Sequence, residues 1–475
     1  MSQTEAKRSG APAPKPKKMA RAKSRAAPPD LNVVRSTGIA PAEYTRRRRR
    51  LMDGLHEDAV ALIPGALVRL RNGDTAYPFR QDSNFLYLTG FDEPQSLLVL
   101  VPGRSQGESI LFCREREPRA ERYDGERLGP ERAASALGLD DAFPWEDVDE
   151  ILPGLIEGRR RVYFPLGADA DFDRRVLGWL HLLRSRVGSD ALPQCEFVDI
   201  GHLLHDLRLV KSAAELRLMR QAGAISAAAH CRAMQVCRPG MTEGDLEAEL
   251  LYSFRRAGAR EPAYECIVAG GENACTLHYV RNSDALADGA LVLIDAGCEY
   301  AGYAADITRT FPSSGRFTPV QRELYDLVLA AQHAAIDAAR SGAHFNAPHE
   351  AAERVLTQGL MDLKLLDGPL DTLIETEAAR RFCMHKTSHW LGLDVHDVGD
   401  YRVGEAWREL EPGMVLTVEP GLYFPPELDD VPEAFKGIGI RIEDDVVITR
   451  GEPEVLTGGV PKSPDAIEAL MAEGR

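Results

Sequence analysis

The sequence predicts an α/β domain followed by a second domain in which pairs of helices alternate with β-hairpins. Short apolar runs at 96–101, 109–113 and 161–164 alternate with helical patterns over residues 39–205. Helix-start patterns recur at Ser212, Thr242 and Thr318 in residues 206–475. Each half of this second domain ends in paired extended runs that carry acidic residues, which suggests an ancient duplication. A length of 475 residues favours two or three domains.

The first predicted helix begins near Pro41 and carries five consecutive arginines, Arg46–Arg50. Such a run alone would indicate nucleic-acid binding. A helix distributes these side chains around its cylinder, so we favour a solvated face.

The charge of the chain is unevenly distributed. Residues 1–38 hold nine lysines and arginines against Glu5 and Asp30, a balance of +7 within a total of −16, so the remainder carries −23. A body this acidic argues against a nucleic-acid partner. The composition of residues 1–38 predicts a disordered basic extension. A transit peptide is the alternative, and the five prolines in this segment count against it.

The eight cysteines are scattered and contain no C-x-x-C pair. This spacing argues against a zinc knuckle or a disulfide framework and predicts a reducing, cytoplasmic location. No apolar run approaches the roughly 18 residues that span a bilayer. No signal-peptide core is present either, so no membrane association is predicted.

The stretch 291–311 places two aspartates on one predicted hairpin. A two-residue turn centred on Tyr300 and Ala301 would set Asp295 directly opposite Asp306, on the same face. Two carboxylates so placed repel each other unless a cation lies between them. A solvated hairpin with two surface aspartates is the alternative, because aspartate is usually exposed.

Further downstream, three histidines and two glutamates extend this pattern. His385, His389 and His396 fall within sixteen residues, although each alone would more often be structural. Glu419 follows an apolar Val-Leu-Thr-Val run and precedes Pro-Gly, so it lies at a strand end. Glu443 lies within an otherwise apolar strand predicted over 438–448, where a carboxylate needs a partner.

One histidine and four carboxylates form an oxygen-rich set of possible metal ligands: Asp295, Asp306, His389, Glu419 and Glu443. Such a set suits two divalent cations about 3.5–4 Å apart, an arrangement that aminopeptidases use. A lone zinc ion would favour more histidine or cysteine. We therefore predict Mn²⁺, with Co²⁺ or Zn²⁺ as substitutes.

These motifs resemble those of the pita-bread metallopeptidases, the family of methionine aminopeptidase, prolidase and aminopeptidase P. The ligand order Asp, Asp, His, Glu, Glu is theirs, and the closer match is to the bacterial Xaa-Pro aminopeptidases. The resemblance covers nearly everything from residue 40 onward. It lies in 77–81, 89–91, 294–300, 306–311, 388–398, 417–423 and 439–445.

The resemblance implies a creatinase-like N-terminal α/β domain and a C-terminal pita-bread catalytic domain, an α+β fold with pseudo-twofold symmetry. It also implies that Asp295 binds one ion, that His389 and Glu419 bind the other, and that Asp306 and Glu443 bridge the two. A hydroxide between the ions would attack the scissile carbonyl.

The same resemblance implies roles for residues around the metals. Glu419 would carry a proton to the leaving nitrogen, and His278 and His396 would stabilise the tetrahedral oxyanion. His385, Tyr423 and Arg441 would line the pocket for proline. Two positions depart from the family pattern. Lys386 replaces a glycine common in relatives, and Leu86 replaces an aromatic residue of a close bacterial relative.

The implied function is that of a metallo-aminopeptidase removing the N-terminal residue from peptides with proline in second position. Two alternatives stay open: a prolidase restricted to Xaa-Pro dipeptides, and a non-catalytic pita-bread binding module. The second alternative predicts loss of at least one ligand, whereas all five are present. The resemblance further implies a homo-oligomer, either a dimer or a tetramer.

Overall fold

The structure is a computed structural model that describes residues 38–186 and 195–474. The basic extension predicted at 1–38 lies outside the described residues except for Gly38. None of the described helices is both long and apolar enough to cross a membrane.

The first part of the chain forms a six-stranded mixed sheet flanked by helices, which confirms the predicted α/β class. The strand order is β6-β5-β4-β1-β7-β8, and β2 and β3 form a separate two-stranded hairpin. The elements are α1 Pro41–Gly54, β1 Ala59–Pro64, β2 Leu70–Asn72, β3 Thr75–Ala76, α2 Ser83–Thr89, β4 Leu97–Leu100, β5 Ser109–Cys113, α3 Glu121–Asp124, α4 Pro130–Leu137, β6 Asp141–Pro144, α5 Val148–Ile156, β7 Arg161–Phe164, α6 Ala170–Arg186, β8 Glu196–Asp199 and α7 Gly201–Leu209.

The arginine run of α1 is not a uniformly solvated face, so this prediction is wrong for two of its members. Arg47 and Arg48 are only 2% and 1% exposed. Both share a helix face with the buried Leu51, because residues three and four apart lie on one side. Arg47 donates to the Tyr87 carbonyl at 2.9 Å and pairs with Glu215 at 3.2 Å, so it connects α1 to the second domain.

The second part of the chain repeats one pattern twice: a pair of helices followed by β-hairpins. The elements are α8 Ala213–Val236, α9 Glu243–Arg256, β9 Glu261–Pro262, β10 Ile267–Gly270, β11 Leu291–Asp295, β12 Cys298–Tyr300, β13 Tyr303–Ala304, β14 Thr308–Pro312, α10 Pro319–Ala338, α11 Ala347–Asp362, α12 Leu370–Glu375, β15 Arg402–Val403, β16 Ala406–Trp407, β17 Val415–Val418, β18 Gly421–Phe424, β19 Ile438–Arg441, β20 Asp444–Val447, β21 Glu454–Val455 and α13 Pro464–Glu473. The predicted division after residue 205 falls within α7 and stays a prediction.

The three predicted helix starts are confirmed. Ser212, Thr242 and Thr318 are the N-cap residues of α8, α9 and α10. In each case the cap side chain accepts from the backbone N–H three residues later, and the side chain at that position bonds back to the cap. These reciprocal bonds satisfy backbone donors that the helix itself leaves unpaired.

The hairpin between β11 and β14 has a different register from the predicted one. Its turn is centred on Ala301 and Gly302, so Asp295 pairs with Thr308 rather than with Asp306. Both turn residues have positive φ, at 52° and 88°, as a type I′ hairpin turn requires. Because the shift is two residues, the alternation of faces is kept, and Asp306 still points to the same face as Asp295.

The predicted strand over 438–448 is interrupted at the glutamate. β19 ends at Arg441 and pairs with β18, whereas β20 begins at Asp444 and pairs with β17. The second ladder continues the register of the first, so Glu443 lies opposite Glu419 in the gap between them. The N–H of Glu443 leaves this ladder and donates to the Thr308 carbonyl at 3.1 Å. This bond ties the hairpin of the second half to β14 of the first half.

Polar contacts join the first part of the chain to β12 and to the loop that carries Asp394. Arg80 donates to Glu299 at 3.0 Å, and Ser83 donates to Asp394 at 2.6 Å. Arg208 donates to the other carboxylate oxygen of Asp394 at 2.7 Å. The loop that carries Asp394 is therefore held by residues of α2 and α7.

Candidate active site

The five predicted metal ligands all line one open cavity of about 510 Å³. They arrive from both halves of the second domain, as the predicted duplication requires. Asp295 ends β11 and Asp306 precedes β14, whereas Glu419 follows β17 and Glu443 separates β19 from β20. The cavity wall also includes His278, His385, Lys386, His396 and Arg441.

Backbone pairing explains why His389 meets Glu419. The segment around His389 runs antiparallel to β17, with Thr417 N–H donating to the His389 carbonyl at 3.0 Å. Glu419 N–H donates to the Thr387 carbonyl at 2.9 Å. His389 and Glu419 are therefore diagonal neighbours on one face, which is within side-chain reach.

The side-chain distances are those of a cation site. His389 Nε2 lies 3.5 Å from Asp306 Oδ2 and 3.5 Å from Glu419 Oε1. Asp306, His389 and Glu443 each offer a ligand atom within 4.8 Å of the others. Carboxylate oxygens and an imidazole nitrogen are suitable donors for a divalent ion.

The raised pKa values of the clustered carboxyl groups also indicate a site for cations. Burial, reinforced by the charge of Asp306, raises the pKa of Asp295. Burial likewise raises the pKa of Glu419 to about 7 and that of Glu443 well above its ordinary range. These shifts mean that four carboxylates cannot all stay ionised here without positive charge between them. The residues present therefore fit divalent cations.

The imidazole of His389 responds to the same surplus of negative charge. Burial disfavours its charged form, but hydrogen bonding to Asp306 and the charge of Glu419 outweigh burial and raise its pKa to about 9. The hydrogen bond with His389 in turn keeps the pKa of Asp306 below its ordinary value, against the effect of burial.

Three residues of the cluster were not predicted. Tyr264 Oη lies 2.6 Å from Asp295 Oδ1 and is also in contact with Asp306, so one phenol proton serves two carboxylates. Thr308 donates to Glu443 at 2.7 Å. Asp445 is fully buried, accepts from Asp306 N–H at 3.0 Å and leaves its other oxygen without a partner. Alternation along the strands could have indicated Thr308 and Asp445, whereas Tyr264 carries no sequence signal of this kind.

The residues predicted to hold proline form one hydrogen-bonded chain that ends at a predicted metal ligand, Asp295. His385 Nε2 lies 2.8 Å from Tyr423 Oη, which accepts from Arg441 at 2.9 Å. Arg441 donates through Nη2 to Asp295 Oδ2 at 2.7 Å. Tyr423 is fully buried and lies behind His385 and Arg441, whereas those two residues reach the cavity wall.

The two predicted oxyanion-binding histidines both reach the cavity. The ring of His396 packs edge-on against the ring of His389, with centroids 4.5 Å apart. Burial, together with the nearby charge of His389, lowers the pKa of His396. It is therefore neutral at pH 7 and has one N–H to donate.

The two departures from the family pattern lie in different places. Leu86 is buried in the core between the two parts of the chain, where a Cβ built on Gly302 would come within 2.7 Å of its Cδ2. Leu86 is not part of the cavity wall. Lys386 lies on that wall, next to His385.

Comparison with known proteins agrees with this geometry. Residues 217–450 match the family model of metallopeptidase family M24, and residues 44–163 match that of the aminopeptidase P N-terminal domain. The chain is 46% identical over 438 residues to the Xaa-Pro aminopeptidase of Escherichia coli, covering 92% of this chain and 99% of that protein. The chain belongs to the Xaa-Pro aminopeptidases of metallopeptidase family M24. It is therefore a metal-dependent aminopeptidase whose family binds divalent ions.

Solved structures of other Xaa-Pro aminopeptidases confirm the predicted two-part fold. The aminopeptidase PepP of Pseudomonas aeruginosa is 56% identical and superposes with a TM-score of 0.90, covering 92% of this chain and 99% of that one. The zinc-substituted aminopeptidase P of E. coli in complex with product is 46% identical, with a TM-score of 0.88 and the same coverage. The creatinase-like N-terminal domain and the pita-bread catalytic domain are thus both present.

Proposed function

We propose that the protein hydrolyses the bond between an N-terminal residue and a proline in second position, using two divalent ions. The observation that carries this proposal is the convergence of four carboxylates and one histidine on a single open cavity, with two of the carboxylates, Asp306 and Glu443, buried. An inert binding module would have no reason to keep so costly a cluster of buried charge.

The ligand assignment follows the positions of the five side chains. Asp306 and Glu443 lie centrally, within reach of His389, and we assign them as bridging ligands. Asp295 would complete one ion's coordination, and His389 with Glu419 would complete the other's. The dominance of carboxylates favours Mn²⁺ as the resident metal, with Co²⁺ or Zn²⁺ able to replace it. When bound, the ions lower the pKa of a water molecule towards neutrality and polarise the scissile carbonyl.

The remaining groups of the cavity have the chemistry that peptide hydrolysis needs. The Glu419 carboxylate is positioned to take the proton of the attacking water and pass it to the leaving nitrogen. Neutral His396, together with His278, would donate hydrogen bonds where the carbonyl oxygen becomes negative. The Arg441–Asp295 bond fixes the orientation of a metal ligand from outside the metal site.

Specificity for proline rests on the hydrogen-bonded chain His385–Tyr423–Arg441. His385 Nδ1 bonds to the Lys386 carbonyl at 2.9 Å, which leaves Nε2 to accept from Tyr423. This arrangement fixes the ring of His385 beside the cavity. An Xaa-Pro amide has no N–H to grip, so a site for it must recognise the ring by shape.

We further propose a cytoplasmic homo-oligomer, a dimer or a tetramer, that acts on peptides and has no nucleic-acid partner. The eight cysteines are all free, which suits a reducing compartment. The net charge of −16 opposes nucleic-acid binding. Light scattering of the purified protein would determine the number of chains.

Hydrolysis of three short peptides tests the proposal. Metal-depleted protein should be inactive, and added Mn²⁺ should restore cleavage of Ala-Pro-Ala but not of Ala-Ala-Ala. Activity confined to the dipeptide Ala-Pro would make the protein a prolidase instead. Failure to cleave either proline peptide with Mn²⁺, Co²⁺ or Zn²⁺ would contradict the proposal.

A further inference from the structure

A second pocket adjoins the cavity that holds the predicted ligands. This second pocket is lined by His349, Glu353 and Cys383 among others, and it shares two residues with the first cavity, His385 and Lys386. Lys386 therefore stands where the two spaces meet. A peptide that extends past His385 away from the metal ligands has to pass this side chain.

The ammonium group of Lys386 has no carboxylate partner within 4.0 Å in the part of the chain that the structure describes. Its neighbour is His349, whose Nε2 lies 3.3 Å from Lys386 Nζ. His349 Nδ1 lies 2.8 Å from Thr387 Oγ1. Burial, reinforced by the charge of Lys386, lowers the pKa of His349 to about 4, so this ring is neutral and accepts from the ammonium.

An ammonium group has three N–H donors, and His349 uses one of them. Two donors of Lys386 are left for a ligand, while Glu353 of the second pocket interacts with its charge from beyond 4.0 Å. The other cation of the cavity, Arg441, is already engaged by Asp295 at 2.7 Å. Among the described residues of the cavity, Lys386 is therefore the cation without a carboxylate partner. An anionic group on a peptide would pair with its ammonium group.

We propose that Lys386 binds a carboxylate carried by the residue that follows proline, and so sets a preference on the leaving side of the substrate. The carboxylate is either the free C-terminus of a tripeptide or an acidic side chain in third position. This inference rests on the proposed function, because it takes the ring of proline to lie beside His385. A substrate running from the ligands over His385 reaches Lys386 with its next residue.

The expected effect is moderate because Lys386 is exposed. An ion pair in contact with solvent changes an equilibrium by up to about fivefold. We expect the loss of this ion pair to raise KM by this factor and to leave kcat unchanged, because the ammonium contacts a part of the substrate that does not react.

Two matched pairs of peptides separate the two sources of the carboxylate. The first pair is Ala-Pro-Ala and its C-terminal amide, and the second pair is Ala-Pro-Glu-amide and Ala-Pro-Gln-amide. Each pair is assayed with Mn²⁺ on the wild type, Lys386→Gln, Lys386→Arg and Lys364→Gln. Lys364 is an exposed lysine outside the cavity, so its substitution controls for the loss of one positive charge from the whole protein.

We expect the wild type and Lys364→Gln to favour the anionic member of at least one pair by about fivefold in KM, the upper range for an exposed ion pair. The ratio of the two KM values within that pair should fall to about one in Lys386→Gln and should stay high in Lys386→Arg. The pair that shows the preference identifies the source of the carboxylate. Equal KM values within both pairs for the wild type, or an unchanged ratio in Lys386→Gln, would overturn the inference. If metal-loaded wild type cleaves none of the four peptides, the proposed function itself fails, and this inference fails with it.

Discussion

His396 packs edge-on against His389, with ring centroids 4.5 Å apart and ring planes at 83°. His389 also lies 3.5 Å from both Asp306 and Glu419, whereas no carboxylate oxygen lies within 4.0 Å of His396 among the described residues. Two adjacent imidazoles on one cavity wall are thus placed for different tasks. We propose that His389 is a metal ligand and that His396 donates a hydrogen bond to the substrate.

Alanine at each of these histidines should separate the two tasks. His396→Ala should lower kcat by about 100-fold, the effect of losing one donor to a developing oxyanion, and should retain its metal. His389→Ala should lose metal as well as activity. Elemental analysis beside steady-state kinetics provides the measurement. Loss of metal from His396→Ala in proportion to activity would make His396 a ligand.

Removing a carboxylate that is assigned to bridge the two ions should abolish the metal site. For Asp306→Ala and Glu443→Ala we expect both metal content and turnover to fall, because each change removes a ligand assigned to both ions. Glu265→Gln is the matched control, since Glu265 lines the same cavity outside the ligand set. It should retain metal and activity. Near-normal turnover of Asp306→Ala or Glu443→Ala would refute the assignment.

The contribution of Glu419 to the stability of the metal-free protein should fall as pH rises. Stabilisation by bound metal should rise over the same pH range. Burial raises the pKa of Glu419 from 4.5 to about 7 in the metal-free protein. A carboxyl group with a raised pKa stabilises the fold fully below about pH 4.5, and this stabilisation is lost as pH rises through 7. Metal needs the ionised carboxylate, so stabilisation by Mn²⁺ should grow over the same range.

Thermal unfolding in EDTA and in excess Mn²⁺, at pH 5.5 and pH 8, measures this dependence. The rise in Tm caused by Mn²⁺ should be larger at pH 8. In Glu419→Gln, which cannot ionise at this position, the difference between the two pH values should shrink. An equal or larger rise at pH 5.5 for the wild type would contradict the assignment of Glu419 as a ligand.

Loss of a buried arginine of α1 should lower the free energy of unfolding, whereas loss of an exposed arginine of the same run should change it little. Arg47→Ala leaves Glu215 without its ion-pair partner, and breaking a buried pair costs about 3–5 kcal/mol. Arg49→Ala removes an exposed arginine of the same run and should stay within about 0.5 kcal/mol of the wild type. Urea unfolding of the two variants gives the comparison. Equal effects would mean that the Arg47 pair contributes nothing.

Much of the fold was accessible from local patterns. The helix starts at Ser212, Thr242 and Thr318 were predicted because capping is encoded within four residues. The apolar runs of β4, β5 and β7 were predicted because buried strands are continuously apolar. The family resemblance supplied the architecture that joins these pieces.

The exact position of one turn and the features set by contacts distant in sequence were not predicted. The turn at Ala301 and Gly302 depends on which two residues take positive φ, and the prediction was displaced by one position. Glu443 interrupts its strand because its N–H bonds to Thr308, 135 positions away. The buried Arg47 pairs with Glu215, which lies in another domain. A carboxylate or guanidinium contacted across such separations leaves no local pattern.

Anomalous diffraction from crystals grown with Mn²⁺ is the most direct measurement of the proposed metal centre. Two peaks should lie about 3.5–4 Å apart among Asp295, Asp306, His389, Glu419 and Glu443. Asp306 and Glu443 should each contact both ions. A single peak at full occupancy, or peaks outside this set of side chains, would contradict the two-ion site.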